Sequence, residues 1–324
     1  RVVRDTQDLV SNGNTFTAAD VPLTYGSNTL TATLTSPAGN MTASVTVNSA
    51  LALNVASPAN GDTLNSDSVL VTGTFQGPPN SGVTVNGIVA AVEGNTFYAN
   101  NVPLQPGANT LAATLTRPDG QTATQAVAVT STGSALVRLT ATPLQGIAPL
   151  SVAISADNRS GNAITEVAYS LVGGGAVDPT NTDPNVLLKL NYDTPGTYQP
   201  RITLTDSLGN TYTQTLVIKV LSVDELDATL QAIWTNITTK LAAGQIEQAL
   251  TAFSAGSRDK YRKVLNDIAP GLSAMFGSFP AIHPTHMIEG DAEYFVVLPN
   301  NNVNYGYYIY FTQDPDGVWR LHEL

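Results

Sequence analysis

The sequence contains no cysteine. Disulfides, thiolate metal sites and cysteine nucleophiles are therefore excluded. Charge is scarce: 12% of the 324 residues are Asp, Glu, Lys or Arg, against about 25% in an average globular chain. No lysine precedes Lys189, so residues 1–188 carry no Lys–Asn isopeptide staple and the first half has little basic surface. The formal net charge is −11. Nucleic-acid binding, which needs clustered Lys and Arg, is not expected. No apolar run approaches the ~20 residues of a membrane helix. Gly-rich phosphate loops, G-x-S-x-G elbows and H-E-x-x-H motifs are absent. The chain opens on Arg1, without Met or a signal-peptide pattern, and reads as processed or as a segment of a longer protein.

Thr, Asn, Ser and Gly take the place of the missing charges. Thr favours strands, and Asn and Gly favour turns. With 42% hydrophobic residues in regular alternation, the composition predicts folded β domains rather than disorder.

The chain is organised around an internal repeat. Gly13–Gly39 (GNTFTAADVPLTYGSNTLTATLTSPAG) returns 81 residues later as Gly94–Gly120 (GNTFYANNVPLQPGANTLAATLTRPDG). A repeat of this size is one folding unit used twice. Thr29–Thr35 alternates Leu and Ala with Thr, the period-two pattern of a half-buried strand. The second copy adds a front part: Leu51–Ala56, a turn through Pro58 and Gly61, Ser68–Phe75, and Val83–Val85 before Asn86-Gly87, a strong hairpin signal. Six or seven short strands with turns every 8–12 residues describe a Greek-key sandwich. The pattern VTVNG…GNTF…VPL…G.NTL.AT…P.G resembles bacterial Ig-like domains, which occur in tandem on secreted and surface proteins. Residues 133–221 carry Gly146-Ile-Ala-Pro-Leu150, Tyr192-Asp-Thr-Pro-Gly-Thr-Tyr198 and Leu204-Thr-Asp206-Ser-Leu-Gly209, and this resembles a PKD domain. The W-D-F-G-D-G of that family is replaced by Tyr169-Ser-Leu-Val-Gly-Gly-Gly175.

At Ser222 the period changes. Ser222-Val-Asp-Glu225 is a capping box, followed by Leu226, Leu230, Ile233, Ile237 and Leu241 at helical spacing. Gly244 ends that helix. Two further helices and three strands are predicted, ending in a hairpin around Asp314-Pro-Asp-Gly317. This order of elements is α+β. The closing YYIYF..D.DG.WRL resembles small NTF2-like domains of bacterial envelope proteins. The expected fold is thus mainly β: an incomplete Ig-like domain at 1–49, an Ig-like domain at 50–132, a PKD-like sandwich at 133–221 and an NTF2-like α+β domain at 222–324.

Few residues point to chemistry. His283 and His286, with Glu289, Asp291 and Glu293 close behind, form a conceivable metal set, but Pro284 excludes the helical spacing of a zinc site and leaves a polar loop as the plainer reading. Asp157 and Asp206, with Asp178 and Asp183, sit in turns where oxygen ligands for calcium gather, or where Asp caps its own backbone. The NTF2-like resemblance implies a pocket lined by Trp234, Tyr261, Phe295, Tyr308 and Trp319; the alternative is that these rings fill the core. No cofactor is expected, and no catalytic residue stands out. The expected role is a non-catalytic stalk, spacer, adhesive or assembly module of an extracellular or cell-surface bacterial protein. The alternatives are a polysaccharide- or protein-binding accessory region of a larger secreted enzyme, or a small-molecule pocket in the last domain.

The repeat also predicts burial. Phe97, Leu104, Leu111 and Leu115 belong in one core, and Phe16, Leu23, Leu30 and Leu34 in its counterpart. The counterpart lacks a front, however: the segment matching Leu51–Ser81 would precede Arg1. Apolar faces through Phe16, Leu30, Leu34 and Val45 then stay open until upstream residues or a strand of a neighbouring copy cover them.

Overall fold

The computed structural model describes residues 2–4, 7–8, 10–12, 15–17, 21, 23, 26–133, 135–183, 185–277, 279–288, 290–300 and 303–324. The chain divides into two compact units, Arg1–Ala52 and Leu53–Leu324.

In the first unit a sheet runs in the order Gln7–Asp8, Val2–Arg4, Gly26–Ser36, Gly39–Ser49, and Val10–Asn12 pairs with Thr15–Thr17 in a separate hairpin. The two long strands are antiparallel and set Leu30 opposite Val45 and Leu34 opposite Met41.

The second unit begins with the complete repeat. One sheet has the order Ile88–Val89, Gly82–Val85, Gly107–Thr116, Thr122–Ser131, Thr63–Leu64; the other has Ala91–Glu93, Thr96–Pro103, Ser68–Gln76, Ala52–Ser57. Leu111 pairs with Val127 here and Leu30 with Val45 in the first repeat, so the second strand of the hairpin is shifted by one residue: the leucines are 81 residues apart and the valines opposite them 82. The strands Ala52–Ser57, Thr63–Leu64 and Ser68–Gln76 are the ones without a described counterpart in the first repeat, and their absence decides burial there. Phe97, Leu115 and Val127 are 0%, 0% and 6% exposed, whereas Phe16, Leu34 and Val45 are 51%, 46% and 56% exposed. Leu23 is exposed and Leu30 half-buried, while Leu104 and Leu111 are buried. The expected core of the first repeat is thus corrected, and the open apolar face also expected there is what is seen. Phe16 lies in the two-stranded hairpin and Leu34 and Val45 in the longer sheet, and the strands that complete the second sheet of the full repeat have no described counterpart.

The third set of strands is again two sheets: Val137–Thr142, Leu150–Asn158, Leu188–Tyr192, Ala176–Val177 in one, and Gln145–Ile147, Ile218–Leu221, Gly196–Asp206, Ile164–Val172 in the other, with Thr211–Thr215 also paired to Gly196–Asp206. Val152, Ile154, Leu190, Ile202, Leu204 and Ile218 fill the space between them.

The final part is α+β. A helix spans Val223–Ala242, and its N-cap Ser222 accepts a hydrogen bond from the Glu225 N–H at 3.3 Å. Shorter helices follow at Ile246–Leu250, Arg258–Asp267 and Leu272–Phe276. They cover one face of an antiparallel sheet in the order His283–Ile288, Asp291–Asn300, Val303–Gln313, Trp319–Glu323. The segment around His283 is therefore an edge strand, not a loop. Proline is tolerated at an edge, and the pairing slips between Pro284 and His286. The molecule is mainly β, with tandem Ig-like sandwiches and a C-terminal α+β region. No described helix is long and apolar enough to cross a membrane.

Candidate functional surfaces

The polar side chains that do most in the second unit sit where its parts meet. The strand Thr96–Pro103 breaks register between Ala99 and Val102. This bulge turns two asparagines toward the next sandwich, as bulges often re-aim side chains. Asn100, which is buried, donates from Nδ2 to the Val217 carbonyl at 2.7 Å and accepts at Oδ1 from the Val217 N–H at 2.9 Å. Asn101, at φ 51°, donates to the Leu139 carbonyl at 3.3 Å and accepts from Gln214 Nε2 at 2.7 Å. Gln214 Oε1 in turn accepts from the Leu139 N–H at 2.9 Å. Lys219, also buried, pairs with Glu93 across the same joint. Burial lowers its pKa and Glu225 opposes that shift.

The complete repeat meets the α+β part in the same manner. Asn80 donates to the Trp319 carbonyl and accepts from the Trp319 N–H, both at 2.9 Å. A Cβ on Gly82 would lie 2.2 Å from the Asp316 carbonyl oxygen, so the backbones touch and only glycine fits. The turn it touches is fixed by buried Arg320, whose guanidinium bonds Asp314 and both carboxylate oxygens of Asp316, each at 2.8 Å. Reciprocal amide pairs of this kind satisfy a buried N–H and C=O together, and removing the amide while the joint stays closed leaves both unpaired.

The residues singled out from the sequence are dispersed. Trp234, Tyr261 and Trp319 lie in the helix–sheet core, whereas Phe295 and Tyr308 lie on the opposite face of the sheet, so the five do not line one cavity. Tyr294 also fills the core; its hydroxyl donates to Asp227 at 2.6 Å, and burial raises its pKa. Asp206 is buried and saturated. Oδ1 accepts the N–H groups of Leu208 and Asn210, and Oδ2 accepts Asn162, Asn210 and Tyr212. These donors, Asn210 first, hold its pKa far below the usual carboxylate range. Asp157 pairs with Arg159 and Arg138, and Asp178 with Lys189. Each is occupied by protein donors. His283 and His286 are exposed on the edge strand, and Glu289 lies outside the described residues. Among the described residues no group of three or more His, Asp and Glu is placed to hold an ion.

The joints went unnoticed in the sequence, although a signal was present. Where the first repeat reads Ala18-Ala19-Asp20, the second reads Ala99-Asn100-Asn101. Two new amides in an otherwise repeated strand mark a surface with a different neighbour.

Comparison with known proteins adds one domain-level match. Residues 52–134 match the family glucodextranase, domain B. No curated relative matches the chain. Among solved structures, the chain is similar to the fibronectin(III)-like modules of Clostridium thermocellum CbhA, at 13% identity, with 53% of this chain and 96% of that chain covered and a TM-score of 0.21. It is also similar to the tandem Ig repeats of Dlar, at 11% identity, 52% and 98% coverage and a TM-score of 0.20. A third is SGBP-B of a Bacteroides ovatus mixed-linkage glucan utilization locus, in complex with a mixed-linkage heptasaccharide, at 14% identity, 62% and 54% coverage and a TM-score of 0.17. These likenesses concern fold alone.

Proposed function

We propose that the chain is a non-catalytic structural module of a larger extracellular bacterial protein, holding the parts on either side at a fixed spacing. The observation that carries this reading is the pair of reciprocal asparagine joints, Asn100 with Val217 and Asn80 with Trp319. They fasten the complete Ig-like repeat to the third sandwich and to the α+β part with bonds that hinge motion would break. The match to a domain of a glucodextranase supports a place within a larger secreted protein. In this reading the third sandwich is PKD-like and the C-terminal region NTF2-like. Neither carries a catalytic group, and the chain uses no cofactor and binds no nucleic acid. The test is amide exchange at the joints of the intact chain. Val217 and Trp319 exchange slowly, and Asn100→Ala and Asn80→Ala release each in turn; fast exchange of both in the unaltered protein defeats the proposal.

A second reading concerns the first repeat. Phe16, Leu34 and Val45 stand in solvent where Phe97, Leu115 and Val127 are covered. This favours the half-repeat as an acceptor for a strand of a neighbouring copy, an adhesive or filament-forming contact. Sizing with amide exchange tests it: residues 26–49 gain protection as association proceeds, and full protection in a dilute monomer removes the reading.

A further inference from the structure

The outer face of the C-terminal sheet, turned away from the helices, carries a row of aromatic rings. Glu293 faces Tyr310 and Phe295 faces Tyr308 across the two central strands. Ring centroids are 5.3 Å apart for Phe295 and Tyr308 and 6.4 Å apart for Tyr308 and Tyr310. Tyr308 and Tyr310 are exposed. Gly306 completes the surface. It sits mid-strand without a left-handed φ, and a Cβ there would lie 2.2 Å from Phe295 Cζ. Its missing side chain is what lets the Phe295 ring lie across the strand instead of standing away from it.

Beyond Tyr310 the row runs into a cavity of about 290 Å³ lined by His286, Asp291, Glu293, Tyr310, His322 and Glu323, among others. Glu293 accepts from Thr285 Oγ1 at 2.6 Å, and Glu323 accepts from Lys260 Nζ at 2.9 Å. Glu293 also raises the Tyr310 pKa, after burial. His322 Nδ1 bonds Ser254 Oγ at 3.1 Å.

We infer that this face is a binding platform for a neutral polysaccharide chain. A pyranose presents C–H groups on its flat faces and hydroxyls around its rim. The rings are tilted, by 59° between Phe295 and Tyr308 and by 32° between Tyr308 and Tyr310. Successive pyranoses, themselves rotated along a chain, would each meet one ring, and the hydroxyls suit carboxylates and imidazoles at the end of that row. Charge selects among polymers. Asp291, Glu293 and Glu323 gather here with one ion pair among the described residues, Lys260 to Glu323, on a chain of net charge −11, so uronate- or sulfate-bearing glycans are disfavoured while neutral ones meet no opposing charge. An apolar protein surface docking here would bury those carboxylates unpaired, at a high desolvation cost, so a protein occupant would need its own Lys or Arg to match them.

Native gels cast with dextran, mixed-linkage β-glucan or xylan, and with polygalacturonate as the anionic control, test this on the full chain. Retardation is expected in at least one neutral gel and not in polygalacturonate. Tyr308→Ala and Tyr310→Ala each weaken retardation at least about tenfold, since each removes one stacking surface. Tyr169→Ala, which removes an exposed tyrosine of the third sandwich, leaves retardation unchanged. Migration unaffected by all three neutral polymers overturns the inference. Retardation that survives both tyrosine substitutions also overturns it, and so does a dimer that Tyr308→Ala dissolves. The spacer reading stands apart from these outcomes, because the joints at Asn80 and Asn100 lie on other surfaces.

Discussion

Leu34 and Leu115 occupy the same repeat position, 81 residues apart, in opposite environments. Leu115 is fully buried between two sheets, and Leu34 is 46% exposed on a single sheet. Replacing Leu115 by Ala removes buried methyl groups and leaves a cavity that closely packed strands refill only in part; such changes cost about 2–5 kcal/mol. At about 1.4 kcal/mol per tenfold, local opening of that sandwich rises by roughly 30-fold to several thousand-fold. Leu34→Ala leaves no cavity, because water already reaches the site. It forgoes only part of the ~1.5–3 kcal/mol of a fully buried leucine, so its cost stays below about 1 kcal/mol. Amide-exchange mass spectrometry reads the two sheets separately within one sample. Peptides of Gly107–Thr116 and Thr122–Ser131 lose protection in Leu115→Ala, and those of Gly26–Ser36 and Gly39–Ser49 barely change in Leu34→Ala. Equal losses at the two sites would refute the argument that the first repeat lacks a cover.

Three further outcomes follow from named contacts. Asn100→Ala strands the Val217 N–H and C=O, at about 1–3 kcal/mol for each buried group left unpaired, and lowers the denaturant midpoint of the second unit more than Asn185→Ala at an exposed turn. Asp206 and Asp178 have depressed pKa values in the folded chain, Asp178 about 2 through Thr180 and Lys189. Their stabilisation is complete above the unfolded value near ~3.9 and is lost as pH falls through the folded values. Acid unfolding of the third sandwich therefore deepens below about pH 4, and Asp206→Asn flattens that pH dependence in a circular-dichroism titration. Ser222→Ala removes the N-cap of the Val223–Ala242 helix and costs about 1 kcal/mol in urea unfolding followed by tryptophan fluorescence, since both tryptophans belong to that part of the chain.

Much of the architecture was legible because it rests on local patterns. Alternation of Leu and Ala with Thr marked the strand Gly107–Thr116 and its inner face, and the Ser222–Glu225 cap marked where the helix starts. What escaped was set by neighbours distant in sequence. Asn100 and Val217 are 117 residues apart, and nothing local to either names the other. The run Tyr305-Gly-Tyr-Tyr-Ile-Tyr-Phe311 carries aromatics on both strand faces, so periodicity alone did not tell which rings enter the core. The helix packing sends Ile309 and Phe311 inward and leaves Tyr308 and Tyr310 outside. Trp234, Tyr261 and Trp319 fill the core, as one of the two readings of the last domain's aromatics has it, whereas the edge strand His283–Ile288 is hidden in the sequence by Pro284.

The claim that the Leu53–Leu324 unit is a rigid body is tested most directly by distance distributions between spin labels. The absence of native cysteine makes labelling unambiguous: Thr124→Cys reports the complete repeat, Asp183→Cys the third sandwich and Thr239→Cys the long helix. Each pair should give one narrow distance distribution that broadens on Asn100→Ala or Asn80→Ala. Broad or multiple distances in the unaltered joints would contradict the account.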